Sequence, residues 1–406
     1  MLSDHALSTS GVGCQSRFLI QGLIEKGCWS VRQFGAAVKH NDYNLVQVNP
    51  DFVIKPIDGF GNRDMLLQTL VTEKPDVLLL FTDPRFFIYI WEMHDEINKI
   101  CPIAYWHVWD NRPAPAFNRV LYEATDLVNC HSHLTYEMVN EIVPGKANFV
   151  PHALPDELFF PISEKDRKDH KVQVLGPERK DHFTVFWVNR NARRKRPADV
   201  IESWSKFMKM LEADGKSDAT LLMHTDPVDQ EGPNLLVNVE TQGVVNSVVF
   251  SNQRIEFEKM NILHNISDCC LNIAYAEGFG LATLEAMKVG NPVIAIKTGG
   301  LTRQVEDHRD GSHNGIALDV EMQSMVGSQM VPYIYEDYVS TDTVAKALYD
   351  MYNMGHEKRR MLGDKARKYV ESEFAIQDTV DEWHRTLWDL TENYKYDGKY
   401  SIEEIV

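Results

Sequence analysis

Residues 275–301 read YAEGFGLATLEAMKVGNPVIAIKTGGL, and the fold follows from how this stretch is punctuated. Just upstream, Cys269 to Tyr275 form a short apolar run closed by glycines, which predicts a buried parallel strand. From Leu281 the residues Leu281, Leu284, Glu285, Met287 and Lys288 recur at helical spacing, until Gly290, Asn291 and Pro292 stop them. Val293 to Ile296, closed by Gly299 and Gly300, reads as the next buried strand. A strand, a tight glycine loop and a helix in that order aim backbone N–H groups and the positive end of a helix dipole at one spot, which suits a phosphate or another oxygen-rich ligand. Glu277 falls in the loop and Glu285 about two turns down the helix. Two acceptors so separated fit a ligand with hydroxyls at both ends and negative charge between them, the shape of a sugar nucleotide.

Outward from that stretch, composition sets bounds. A chain of 406 residues suits two domains, and its 44% hydrophobic content can fill two cores. The net charge of −17 disfavours nucleic acid and anionic membrane unless positive charge is locally concentrated. No apolar run reaches the length of a membrane span and no signal peptide is visible, so a cytoplasmic location is expected. Six cysteines without C-x-x-C spacing read as buried thiols in a reducing compartment.

The order of elements predicts an α/β chain. Ser10, Gly11, Val12 and Gly13 precede a helix periodic through Phe18, Leu19, Leu23 and Ile24, and the strand before them is short. Pro75 to Thr82 reads as a buried strand that carries Asp83, Pro84 and Arg85 to the carboxyl edge, where open α/β sheets bind ligands. Arg85 is therefore a candidate contact, or simply a surface cap. Pro102 to Trp106 is a strand ending at His107, with Val108, Trp109 and Asp110 behind it. A histidine there can bond a hydroxyl, or serve as a satisfied core side chain. Residues 162–182 are charged and poorly periodic, and read as a mobile connection. The strand Phe183 to Val188 leads into NRNARRKRP, residues 189–197, whose five basic side chains suit phosphate, a solvated surface or nucleic acid. Further helices are expected over 341–352, 357–374 and 378–390.

The string EGFGLATLEAMKVGNPVIA resembles the E-x7-E signature of retaining glycosyltransferases of the GT-B fold, especially glycosyltransferase family four. Arg190 and Lys195 match the family's R-x4-K spacing, AYWHVWD resembles its strand ending in histidine, and residues 149–161 resemble its interdomain linker, with His152 where asparagine is usual. The resemblance implies two Rossmann-like doubly wound domains facing a cleft. The expected division is an acceptor-binding domain over residues 1–155, joined by a terminal helix at about 376–392 that crosses back to it, a nucleotide-sugar domain over 156–375, and a polar tail at 393–406.

The implied activity is transfer of a sugar, with retention, from a nucleotide-diphosphate sugar such as a UDP- or GDP-sugar to a hydroxyl acceptor that is a glycan, lipid, small molecule or modified DNA base. Nucleic acid would enter only as that acceptor. By resemblance Glu277, His107, Arg190 and Lys195 are catalytic. Gly13, Gly278, Phe279, Gly280, Leu281, Ala282, Glu285 and Ile255 hold the donor, the last beside Asn252, Gln253 and Arg254 near the base. Arg85, Trp109 and Asp110 are acceptor candidates. No D-x-D sequence occurs, so charge neutralisation by Arg190 and Lys195 is expected in place of a metal, and no cofactor beyond the donor. Two alternatives stand beside this: an epimerase or phosphorylase of the same fold, and a non-catalytic protein binding nucleotide sugar or nucleic acid.

Overall fold

In the computed structural model, which describes residues 1–253 and 255–396, the apolar runs become strands of two separate sheets. The chain divides into two units, one comprising Met1–Ala153, Ser328–Pro332 and the chain from Ile376, the other Leu154–Gly327 and Tyr333–Ala375.

The first unit is built on eight strands: β1 (Leu2–Asp4), β2 (Val31–Ala36), β3 (Val46–Asn49), β4 (Phe52–Pro56), β5 (Leu78–Thr82), β6 (Ile103–His107), β7 (Leu127–Cys130) and β8 (Ala147–Phe149). Their order is β3-β4-β2-β1-β5-β6-β7-β8, parallel throughout except for the antiparallel edge strand β3. Strand order reverses between β1 and β5, the place in such sheets where ligands bind at the carboxyl ends of the strands. The three residues of β1 are all buried, which explains why so short a strand holds the middle of a sheet.

The terminal helix Ile376–Asn393 belongs to this first unit. Its apolar stripe places Trp383 and Leu387 in one core with Leu19, Leu23 and Trp106, and each such buried side chain stabilises by roughly 1.5–3 kcal/mol. Gly22 on the helix Gly11–Glu25 lets the two helices touch: a Cβ there would lie 2.4 Å from Val380 Cγ2. Asn129 on β7 donates to the Thr386 hydroxyl at 3.0 Å. Of the expected polar tail, residues 397–406 lie outside the described residues.

The second unit has an all-parallel sheet of β9 (Phe183–Val188), β10 (Ala219–His224), β11 (Val248–Ser251), β12 (Cys269–Asn272), β13 (Val293–Ile296) and, after the small antiparallel pair β14 (Glu306–Asp307) and β15 (Ser312–His313), β16 (Gly315–Leu318). Its order, β11-β10-β9-β12-β13-β16, reverses between β9 and β12. Both units are thus doubly wound α/β folds, as expected. A hairpin, β17 (Met322–Val326) with β18 (Ile334–Tyr338), is added beside this sheet.

Two expectations are corrected here. The stretch read as a mobile connection contains a helix, Glu164–Leu175, capped by Ser163, whose hydroxyl accepts from Asp166 N–H at 3.1 Å. Its stability is not local: Arg167 and Lys171 reach the buried carboxylate of Asp268, at 3.0 and 3.5 Å. A helix held by buried ion pairs shows no hydrophobic period, which is why its sequence looks irregular. Of the six cysteines five are buried, but Cys28 is exposed, in the turn after the first helix. Among the described residues no helix is long and apolar enough to cross a membrane.

Candidate functional site

Because β9 pairs with β12 at the reversal of strand order, the loops leaving them emerge side by side. The loop after β9 carries the basic run, and the loop after β12 carries Glu277. The two are stitched together: Tyr275 N–H donates to Arg194 O at 2.9 Å, and the Arg194 guanidinium donates to Ala276 O at 2.5 Å. Lys195 closes the junction with an ion pair to Glu277, while Arg194 lies 4.0 Å from the other carboxylate oxygen. Glu277 is 8% exposed, so its charge depends on these cations and would be costly without them.

The remaining basic side chains of the run do other things. Arg196, buried, bonds Asp199 and Val339 O at 2.7 and 3.0 Å and stacks on Tyr275 and Tyr338. Its φ of +55° ends the turn so that Pro197 can open the next helix. Arg193 pairs with Glu336 on the hairpin and covers Tyr275. Arg190, 60% exposed, is bound to Asp229 and Glu231 at 2.9 Å each. Glu277 is therefore flanked by Lys195 and Arg194, and Arg190 is held on other carboxylates. Sequence spacing singled out Arg190 and passed over Arg194.

The glycine loop is packed against its neighbour. A Cβ on Gly300 would lie 2.4 Å from Gly278 O, and Gly300 N–H donates to Glu277 O at 2.9 Å. Gly280 has φ +94° and starts the helix Leu281–Lys288 without a side-chain cap. Leu281 and Ala282, half-buried, supply the first amides of that helix, and these make no hydrogen bond among the described residues. Phe279 is buried and meets Phe374 edge-on. Gln304 braces the loop from beneath, donating to Phe279 O at 2.7 Å and bonding the Thr283 hydroxyl.

Glu285 projects from the same helix and bonds His264 Nε2 at 2.9 Å. His264 is fully buried between the rings of Phe186 and Phe159, with centroids at 4.9 and 5.8 Å. Nothing local marks His264 as special, since a histidine on a packed helix face reads as core. Ile255 is half-buried in a core with Phe186, Leu222 and Leu263, and Arg254 lies outside the described residues.

In the first unit Gly13 is buried under the loop after β1: an added Cβ would lie 2.2 Å from Ser8 Oγ, and its N–H donates to Ser10 Oγ at 3.0 Å, capping the helix. His107 is 0% exposed, bonds the Tyr122 hydroxyl at 2.9 Å, and is pushed down to about 3 by burial and by His131. It is therefore neutral at pH 7, and a direct contact with a ligand requires its cover to move. Trp109 is buried against Phe117, and Asp110 is half-buried. Arg85 is held by Asp83 through Nε and Nη2, at 2.9 and 2.7 Å. Among the described residues no three His, Cys, Asp or Glu side chains converge as a metal ion would need.

Comparison with known proteins bears on the fold. Residues 168–328 match the family described as glycosyl transferases group 1. The chain is similar to N-acetyl-alpha-D-glucosaminyl L-malate synthase of Bacillus anthracis, 22% identical over 285 residues, covering 69% of this chain and 65% of that one. It is also similar to D-inositol 3-phosphate glycosyltransferase of Corynebacterium diphtheriae, 27% identical over 191 residues, covering 47% and 41%. The chain thus spans less than two thirds of the length of either relative. Among solved structures, sucrose-phosphate synthase from Thermosynechococcus elongatus superposes with TM-score 0.67 at 20% identity, over 94% of each chain. Anabaena HepE in complex with UDP-glucose superposes with TM-score 0.68 at 16% identity, over 94% of this chain and 98% of that one. The GT-B fold and the resemblance to glycosyltransferase family four are borne out.

Proposed function

We propose that the protein is a retaining glycosyltransferase that moves a sugar from a nucleotide-diphosphate sugar to a hydroxyl acceptor without a catalytic metal. The observation that carries this reading is the Lys195–Glu277 pair at the reversal of strand order, beside an uncapped helix N-terminus. Glu277, with its charge balanced by Lys195 and Arg194, accepts hydrogen bonds from the sugar hydroxyls, and the Gly278, Phe279 and Gly280 backbone lines the same contact. The Leu281 and Ala282 amides and Lys195 stabilise the diphosphate as it leaves, an electrostatic contribution on the order of 3–4 kcal/mol for a well-placed donor. Glu285, oriented by His264, accepts from the ribose hydroxyls, and Ile255 lies beside the base.

In the reaction the anomeric carbon's bond to the phosphate oxygen breaks as its bond to the acceptor oxygen forms on the same face. The acceptor's proton passes to the departing phosphate. Arg190 joins the diphosphate only by releasing Asp229 and Glu231. The absence of D-x-D and the cations around Glu277 support charge neutralisation by side chains. HepE was solved with UDP-glucose, which makes UDP-glucose the first donor to try. Five buried thiols and a net charge of −17 suit work in the cytoplasm.

The test is a thermal-shift screen of nucleotide sugars, followed by an assay of nucleoside diphosphate released with a panel of acceptors, with and without chelator. A ligand at a hundred times its dissociation constant stabilises by about 2.7 kcal/mol. No shift with any nucleotide sugar or nucleoside diphosphate would end this reading.

A further inference from the structure

Where β1 and β2 end, at the carboxyl edge of the first unit's sheet, two histidines meet. His5 packs against Gly35, where an added Cβ would come 2.6 Å from its Cδ2. The His40 ring stands 5.4 Å from it, tilted by 43°. Their hydrogen bonds define their tautomers. His5 Nδ1 accepts the Leu7 N–H at 3.2 Å, so the neutral ring carries its proton on Nε2. His40 Nε2 faces the Gly35 carbonyl at 3.1 Å and must donate, which in the neutral ring leaves Nδ1 as an acceptor. Neither His5 Nε2 nor His40 Nδ1 has a partner among the described residues. The half-buried pair thus presents one donor and one acceptor, the complement of a hydroxyl group.

Beside them Tyr43, 51% exposed, stands edge-on to His40 at 5.6 Å and gives its hydroxyl to Asp58 at 2.6 Å. An aromatic ring open to solvent with its polar end tied down is a platform for the C–H face of a sugar ring. The turn that delivers His40 and Tyr43 contains Ala37 at φ +64°. A non-glycine residue in the left-handed region is held there against its preference, and such strain concentrates at functional sites. Burial and His40 both lower the His5 pKa, which keeps that ring a neutral partner.

We infer that His5, His40, Tyr43 and Asp58 form a binding subsite for a polyhydroxyl ligand, taken as a free sugar or as its phosphate ester. Resting on the proposed transferase activity, this ligand is the acceptor.

The test is titration of the full chain with methyl glucoside and, separately, with a glucose phosphate, following the imidazole Cε1–H resonances by NMR. Saturable shifts of the His5 and His40 resonances are expected, and the ligand that saturates first names the source. Tyr43→Ala and, read at His5, His40→Ala should each weaken binding about ten-fold, the loss of roughly one well-placed contact. Tyr43 is exposed, so its variant keeps the fold. The inference is overturned if neither ligand shifts these resonances saturably, or if both variants bind as the wild type does. A thermal shift with a nucleoside diphosphate on the same proteins reads the second unit separately. Retained nucleotide binding without sugar binding defeats this inference alone, and the converse defeats the transferase reading alone.

Discussion

Replacing Lys195 by alanine removes the ammonium that pairs with Glu277 and leaves Arg194, 4.0 Å from the carboxylate, as the flanking cation. The Lys195 side chain is 13% exposed and that of Glu277 11% exposed, so the pair is largely shielded from water. A hydrogen bond to a charged group in such a setting is worth about 1.5–3 kcal/mol. If that interaction serves the departing diphosphate, the loss appears in kcat/KM as a fall of about ten- to a hundred-fold. The assay is initial-rate release of nucleoside diphosphate, donor concentration varied at fixed acceptor, with circular dichroism to check folding. Lys195→Arg, which keeps the charge, should recover part of the loss, whereas a purely structural role would show as a lowered Tm with kinetics intact. A folded Lys195→Ala protein with kcat/KM within about two-fold of wild type would refute the assignment of the lysine to the leaving group.

Glu285→Ala should weaken nucleotide-sugar binding about ten-fold by isothermal calorimetry. His264→Phe should produce much of the same loss, and a double variant no worse than Glu285→Ala would show that the histidine acts through the glutamate. Gly300→Ala forces a methyl group to 2.4 Å from Gly278 O, and should lower stability by about 1–3 kcal/mol in urea titration, with donor binding lost in step. Asp268→Asn removes the carboxylate shared by Lys171, Arg167 and Arg359, and should cost about 3–5 kcal/mol. Burial alone would raise the pKa of Asp268, but Lys171, Arg167, Arg359 and the Thr184 N–H bring it below the ordinary value. Lys171 is itself pushed down, mainly by its own burial, against the pull of Asp268. The stability from Asp268 is therefore fully present above its unfolded pKa of about 3.9 and disappears as pH falls through the lower folded value. Wild type and Asp268→Asn should differ most above pH ~5 and converge in strong acid; a constant gap in Tm across that range would refute the linkage.

Much of the architecture was legible because strand and helix burial leave local periodic marks. The apolar runs at 78–82, 103–107, 183–188 and 293–296 are strands, and the glycines at 278, 280 and 300 mark a place where backbones touch. The E-x7-E wording pointed to a donor loop before any coordinate was known. What escaped was pairing at a distance. Which of the basic residues at 190–196 meets Glu277 depends on β9 lying beside β12, with 82 residues separating Lys195 from its partner. The same holds for His264 under Glu285, and for the helix Glu164–Leu175, which is anchored by a carboxylate about a hundred residues away. The residue string alone determined the doubly wound units and the glycine loop, since hydrophobic period and backbone freedom are properties of neighbours along the chain. Only the tertiary structure decided the charge partners and the tautomers of the histidines, because these depend on which side chains the sheet order brings within a few ångströms.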